Sequence, residues 1–176
     1  NFFKKDKTET EFETNEVIEK VLKLTKEQFK MHDISIIKDI EEYSLFNLEN
    51  EFIQELINIL NNAKDALITQ PKNARFINIK TSIENKKCIV EVNDNGGGVN
   101  EIIVSKIFEP YFTTKHKAQG TGIGLYMSHQ IVVEHMKGSI SVRNIEMKKD
   151  KNIYKGCSLI IVLPIKENQY LGNYII

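Results

Sequence analysis

The stretch ELINILNNAKDAL, residues 55–67, decides the fold of this part of the chain, because its apolar and polar side chains recur at helical spacing. It predicts a helix from Glu51 to Ile68, whose core side carries Leu56, Ile59, Leu60, Ala63 and Leu67. Asn58, Asn62 and Asp65 are separated by four and three positions, so their side chains share another face. A helix with these two faces is expected to border a cavity.

The two asparagines of this polar face suit a magnesium site. Amide oxygens are hard donors, and Mg²⁺ usually keeps water and substrate phosphates as its other ligands. The alternative is an ordinary solvated helix face, to which the neighbouring Asn61 is assigned as an exposed residue without a function.

A second polar segment, DNGGG at residues 94–98, follows a predicted strand. The carboxylate of Asp94 is suited to accept a hydrogen bond from an exocyclic amine, while Gly96 and Gly98 let the backbone approach a flat ring closely. An ordinary turn is the alternative, since Asp, Asn and Gly are all frequent in turns.

The third segment is GTGIGLY, residues 120–126, at the start of an amphipathic helix predicted from Gly122 to His135. Glycines can fold over phosphates, and a helix N-terminus presents free N–H groups to anions. The segment fits neither a dinucleotide-binding βαβ fingerprint nor a P-loop with its lysine.

Between the glycine segments lies KIFEPYFTTKHK, residues 106–117. Its aromatic residues Phe108, Tyr111 and Phe112 are suited to a simple aromatic core. The polar run from Thr113 to Gln119 predicts a mobile lid, from which Lys115 would reach a phosphate.

The remaining pattern predicts a two-layer α/β sandwich, in which helices cover one face of a mixed sheet of about five strands. Its other predicted elements are a helix at 14–31, strands at 34–40, 76–84, 87–93, 139–146 and 157–164, a hairpin turn at Asn85-Lys86, and a polar loop at 147–155. We predict a connector at residues 1–13, one domain at 14–166 and a separate tail at 167–176.

The composition excludes several classes of protein. Lys plus Arg and Asp plus Glu balance at 24 each over 176 residues, which argues against nucleic-acid binding. No apolar run approaches the roughly 20 residues that a membrane span needs, so we expect a cytoplasmic domain. Whether the parent protein is anchored in a membrane is left open. Cys88 and Cys157 lie in strand-like runs and are expected to be small buried thiols rather than a disulfide or metal ligands.

The four segments, in this order, resemble the ATP-binding domain of two-component sensor histidine kinases, in the superfamily that also holds gyrase, the Hsp90 chaperones and MutL. The resemblance covers about residues 15–165 and implies the Bergerat-type fold, with ATP and Mg²⁺ as cofactors. Asn62 would hold Mg²⁺ with help from Asn58, and both are the candidate catalytic residues. Asp94 would accept from adenine N6, and Ser158 would join it there through water.

The family's lid corresponds to residues 113–124. The nucleotide-binding set that the resemblance implies is Asn58, Asn62, Asp65, Asp94, Gly96, Gly98, Phe108, Phe112, Thr113, Lys115, Gly120, Thr121, Gly122, Ile123, Gly124, Leu125 and Ser158. Asp65 stands where many members have a phosphate-binding lysine, so Lys115 is the expected phosphate-binding cation.

One position separates kinases from ATPases in this superfamily. Four residues before the magnesium asparagine, the ATPase branches carry a glutamate that activates water, whereas this chain has Asn58. An amide cannot act as a general base, so the resemblance implies transfer of the γ-phosphoryl group to another acceptor.

The acceptor of the family is a histidine on a separate dimerising helical hairpin, and none of the four histidines has that context: His32, His116, His129 and His135. The opening NFFKKDK resembles the close of the hairpin's second helix. The implied partners are therefore this upstream hairpin, in a homodimeric parent, and a response regulator, while this chain alone is expected to be monomeric. The alternatives are a serine kinase of the anti-sigma type and a scaffold that binds ATP without catalysis.

Overall fold

The computed structural model describes residues 8–110, 112 and 124–166. In chain order the strands and helices are β1 (Thr10–Glu13), α1 (Thr14–Met31), β2 (Ser35–Ile40), β3 (Ser44–Asn47), α2 (Glu49–Leu67), β4 (Phe76–Glu84), β5 (Lys87–Asp94), α3 (Glu101–Val104), α4 (Gly124–Gln130), β6 (Ser139–Lys149) and β7 (Asn152–Pro164). A π-helical turn, Ile131–His135, continues α4.

The predicted mixed sheet is confirmed. Its five strands lie in the order β2-β4-β5-β7-β6, with β2 parallel to β4 and every other pair antiparallel. Alternate residues of the central strands, such as Val90, Val92 and Ile161, are buried in one core with the apolar sides of α1 and α2. The five core-side residues predicted in α2 are all buried. The chain is therefore a two-layer α/β sandwich over the part that the structure describes.

The hairpin turn predicted at Asn85-Lys86 is also confirmed. Both residues have a positive φ, of 51° and 59°, which is the conformation required by the tight turn that matches strand twist. The turn sets the register of β4 against β5 and thereby brings Asp94 opposite Ile77.

Three local predictions were wrong. Residues 10–13, expected in the connector, form β1 and pair with β3, because Phe12 stacks on Phe52 at 5.7 Å. The predicted loop 147–155 belongs mostly to the β6–β7 hairpin, whose outer part is exposed and therefore lacks the apolar alternation of a half-buried strand. The apolar spacing of the helix predicted at 14–31 includes Leu24 with its inner face, but this side chain is 69% exposed.

Arg75 ties together the ends of the two long helices. Its guanidinium donates hydrogen bonds to the carbonyls of Ile68 and His32, each 2.8 Å long, and to that of Gln70 at 2.9 Å. These carbonyls lie just past the C-termini of α2 and α1, where helix ends leave carbonyls unpaired and favour a positive charge. Arg75 itself is only 9% exposed.

We expect the Arg75→Ala variant to lose about 3 kcal/mol of unfolding free energy, because three carbonyls lose a charged donor at once. Urea denaturation measures this loss. The matched control is Arg143→Ala, which removes the other arginine of the chain together with its exposed ion pair to Glu91, and it should cost less than about 1 kcal/mol. Equal losses in the two variants would contradict the role of Arg75.

Among the described residues, no helix has the length and apolarity that crossing a bilayer demands.

Candidate functional site

The polar face of α2 forms a continuous stripe along the helix. Asn58 and Asn62 are half-buried, and Ala66 follows one turn later on the same side. Asn62 and Asp65 are both engaged by neighbouring groups. The predicted arrangement of these amides on one face is thus present, at the edge of the core rather than on a fully solvated surface.

The stripe leads directly to the glycine segment after β5. A Cβ built on Gly96 would lie 2.8 Å from the Cβ of Ala66 and 2.9 Å from Oδ1 of Asp94. Only glycine allows this approach, because real Cβ contacts at such distances are essentially never seen. The structure therefore brings together two segments that the sequence identified separately: the helix with its amides, and the DNGGG segment with the carboxylate of Asp94 and its glycines.

Asp94 is a buried carboxyl with few partners. It is 7% exposed, and its Oδ1 accepts a hydrogen bond of 2.9 Å from the Gly96 amide. Burial raises the pKa of Asp94 to about 6, and the Gly96 hydrogen bond offsets part of that rise. A carboxylate held in this way is prepared to accept a hydrogen bond from a ligand amine.

Asn95, which the sequence analysis did not single out, anchors the strand end that carries Asp94. Its side-chain oxygen accepts from the Phe76 amide at 3.0 Å, and its amide donates to the Ala74 carbonyl. Asn95 is buried. Its sequence signal is its place inside the DNGGG segment, where an ordinary turn is the alternative interpretation.

The strand register does not support the position predicted for Ser158. Asp94 pairs with Cys157, whereas Ser158 pairs with Asn93, whose side chain bonds to Asn78 on the other face of the sheet. Successive side chains of a strand point to opposite faces, so Cys157 shares the face of Asp94. Burial and the charge of Asp94 raise the pKa of the Cys157 thiol to about 12. Cys157 is half-buried and Cys88 buried, and both are free thiols as expected.

One of the three predicted aromatic residues packs in the core. Phe108 packs against the core cluster, and its ring lies 5.6 Å from that of His129 on α4. The amide of Phe112 donates to the Glu109 carbonyl. These contacts favour the aromatic-core interpretation for Phe108.

The predicted lid, residues 113–124, lies outside the described residues except for Gly124. The candidate residues concerned are Thr113, Lys115, Gly120, Thr121, Gly122 and Ile123, and Tyr111 before the lid is also outside them. Of the second glycine segment, Gly124 is the first residue of α4, and Leu125 packs against the core. A Cβ on Gly124 would meet no atom within 4 Å, so packing within the described structure does not require glycine there.

Glu55 is a buried acid that the sequence analysis overlooked. It precedes Asn58 by three positions on the same face of α2 and lies against Ser128 of α4. Burial raises the pKa of Glu55, while Ser128 lowers it in part. Neither side chain has a hydrogen-bond partner of good geometry within the described ranges. One turn earlier, Glu51 contacts Nδ1 of His135 at 3.1 Å, so α4 and its π-helical turn lie along the polar stripe of α2.

The prediction that Asn61 is exposed was wrong. It is half-buried, and its side-chain oxygen is fully buried without a partner among the residues that the structure describes.

The described residues contain no cluster of three or more His, Cys, Asp or Glu side chains that could hold a metal ion. The donors that fit a divalent cation are instead the amide oxygens of Asn58 and Asn62. A site of this type needs phosphate and water oxygens to complete an octahedral shell, which agrees with a metal that arrives with its nucleotide.

Residues 47–167 match the family described as histidine kinase-, DNA gyrase B-, and HSP90-like ATPase. A putative sensor protein of Shewanella frigidimarina is 29% identical over 153 residues, which are 87% of this chain and 22% of that protein. The signal transduction histidine-protein kinase AtoS of Escherichia coli K12 is 31% identical over 154 residues, covering 86% of this chain and 23% of AtoS. The chain thus spans less than a quarter of these relatives.

Among solved structures, the catalytic domain of the histidine kinase ThkA superposes with a TM-score of 0.74 at 29% identity. The match covers 89% of this chain and 95% of that one. ThkA has also been solved in complex with the response regulator protein TrrA; there the TM-score is 0.71 at 25% identity, over 90% of this chain and 42% of that one.

Proposed function

Because this chain belongs to the histidine kinase-, DNA gyrase B-, and HSP90-like ATPase family and has the fold of a sensor histidine kinase catalytic domain, we propose that it binds Mg·ATP and donates the γ-phosphoryl group to a histidine outside this chain. The single observation that supports this best is the contact between Ala66 and Gly96, which brings the amide stripe of α2 beside the carboxyl of Asp94. One ligand with an amine at one end and phosphates at the other could bind the carboxyl of Asp94 and the amide stripe of α2 at the same time.

In this proposal the adenine amine donates to Asp94, with Gly96 and Cys157 beside the base. The phosphates extend along α2 toward Asn62 and Asn58, whose amide oxygens would hold Mg²⁺. Asn62 and Asn58 would hold the ion beside the phosphates, where its charge would offset theirs. This chain's own contribution is to orient the nucleotide. It also leaves water unactivated, since Asn58 cannot accept a proton and so cannot act as a general base.

The described histidines have structural contacts that do not suggest a phosphoacceptor. The carbonyl of His32 accepts from Arg75, His129 contacts Phe108, and His135 faces Glu51. We therefore place the acceptor on a dimerising helical hairpin of the parent protein, which would act on a response regulator, as the complex of ThkA with TrrA suggests for a relative. We also propose a cytoplasmic location for the domain, since the proposed reaction consumes ATP.

The test combines this chain with the parent protein's hairpin and γ-labelled ATP. Label on the hairpin that is lost in acid but retained in alkali indicates phosphohistidine and supports the proposal. Acid-stable label would instead support a serine kinase, and ATP binding without label transfer would support a non-catalytic module.

Within that assay we expect Asn62→Ala to reduce label transfer by about 100-fold, because the variant loses a metal ligand close to the phosphates. Its affinity for ATP should become nearly independent of Mg²⁺ in calorimetric titrations. Gln54→Ala is the matched control, since Gln54 is an exposed amide on the same helix. Unchanged transfer by the Asn62 variant would remove the proposed metal role.

A further inference from the structure

We propose that Asn144 of β6 is a positioning residue that holds the glycine loop, residues 96–100, in the conformation that receives the nucleotide. This inference rests on the proposed function and adds a determinant of ATP affinity that lies outside all four sequence segments. Asn144 does not touch the base in this proposal; it acts through the backbone of Val99.

The side chain of Asn144 binds both backbone groups of one residue. Its Oδ1 accepts from the Val99 amide at 2.7 Å, and its Nδ2 donates to the Val99 carbonyl. The same Nδ2 donates to the carboxylate of Glu101 at 2.8 Å. A side chain that engages the N–H and C=O of one residue does what a neighbouring strand does in a ladder. Asn144 thus extends sheet-like pairing to a segment that is not a strand.

The loop needs such an anchor because its conformation is unusual. Gly97 and Gly98 have φ angles of 98° and 80°, which glycine adopts without steric cost. Because glycine has no side chain, the same residues can also adopt many other conformations. Before Val99, the Gly97 amide donates to the Lys155 carbonyl at 3.1 Å, and Gln70 donates to the Gly96 carbonyl at 3.2 Å. After Val99, Asn100 caps α3 and accepts from the amides of Ile102, Ile103 and Val104. The Asn100 contacts are local to α3, so Asn144 is what ties the second half of the loop to the sheet.

Asn144 also sets how closely the loop approaches β6. A Cβ on Gly98 would lie 2.9 Å from Oδ1 of Asn144, so the glycine backbone packs directly on this amide. In the sheet, Asn144 pairs with Cys157, and Cys157 pairs with Asp94. The anchor therefore stands in the same cross-strand row as the carboxyl that the proposal assigns to adenine.

This geometry predicts that Asn144 contributes to affinity by pre-ordering the loop. Without it, the loop would sample more conformations, and nucleotide binding would have to restore the ordered one. For Asn144→Ala we expect the Kd for ATP to rise by about tenfold. In the transfer assay, KM should rise by a similar factor while kcat at saturating ATP stays unchanged.

The charge of Glu101 gives a sharper test of the same contact. Asn144→Asp retains an acceptor for the Val99 amide but loses both donors and places a second carboxylate beside Glu101. Its Kd for ATP should rise further than that of Asn144→Ala. Adding Glu101→Gln to Asn144→Asp restores a donor to the pair, so the Kd of the double variant should fall back most of the way to that of Asn144→Ala. Glu101→Gln alone should change the Kd by less than about threefold.

The experiment is calorimetric ATP titration of the whole chain, combined with amide exchange at Val99. Ser141→Ala, an exposed residue of the same strand, is the matched control and should bind ATP like the wild type. Faster Val99 exchange with weaker ATP binding in Asn144→Ala supports the proposal. Wild-type ATP affinity in Asn144→Ala or in Asn144→Asp overturns it, while the proposed function stands. Absence of ATP binding by the wild type would defeat the proposed function itself.

Discussion

Asp94→Asn is expected to weaken ATP binding by at least about 100-fold, although the substitution changes almost no volume. The reason lies in the hydrogen bond that Oδ1 already accepts from Gly96. In the asparagine variant the oxygen must remain on Gly96, so the amide NH₂ would face the ligand. A donor would then oppose the adenine amine, which is itself a donor.

The same substitution should stabilise the protein without nucleotide. Burial raises the pKa of Asp94 from an ordinary 3.8 to about 6, so ionisation favours the unfolded chain. At roughly 1.4 kcal/mol per pH unit, the ionised carboxylate costs the folded protein about 3 kcal/mol above pH 6. The cost is absent below pH 4 and grows between these values. Asp94→Asn removes it, so its unfolding free energy at pH 7.5 should exceed that of the wild type.

ATP affinity should follow the opposite trend with pH, because the ionised carboxylate is the better acceptor. Wild-type affinity is expected to fall as the pH is lowered through about 6, whereas the Asp94 variant should show no such step. Denaturant unfolding and calorimetry between pH 5 and 8 measure both effects. Asp39→Asn, at an exposed position of β2, is the matched control. A variant that binds ATP normally, or that is no more stable than the wild type at pH 7.5, would contradict the assignment of Asp94.

Gly156→Ala is expected to be the most damaging single-methyl change in the described structure. A Cβ at Gly156 would stand 1.9 Å from the backbone oxygen of Asp94 and 3.2 Å from the Cα of Asn95. The obstacle is backbone at the end of β5, so no side-chain rotation relieves the clash. We expect a loss of about 3 kcal/mol or more in unfolding free energy, and ATP binding should be lost with it because the displaced segment carries Asp94.

Gly124→Ala is the matched stability control for this clash. Its Cβ would meet no atom of the described residues within 4 Å, and alanine is a better helix former than glycine by up to about 1 kcal/mol. Thermal unfolding of the two variants should therefore move in opposite directions. A Gly156 variant with the wild-type melting temperature would show that β5 and β7 can separate at this point at little cost.

The elements that the sequence predicted well are those with strong local periodicity. The apolar side of α2 repeats over its whole length, and the turn between β4 and β5 needs only two residues with positive φ. β1 could not be predicted in this way, because a strand of four residues with one buried apolar side chain has no measurable period. The outer β6–β7 hairpin lacked the signal for a related reason, since its side chains are largely exposed.

The chemistry of the site was visible in the sequence because it depends on residue type and short spacing: amides four apart on a helix, and a carboxylate followed by glycines. The tertiary structure alone decided which atoms meet across distant segments. Strand register put Cys157 rather than Ser158 beside Asp94, brought Asn144 onto Val99, and left Arg75 holding two helix ends. Local spacing fixes the side of its own element on which a residue lies, whereas the register and close approach of strands about 50 residues apart follow from packing the whole core.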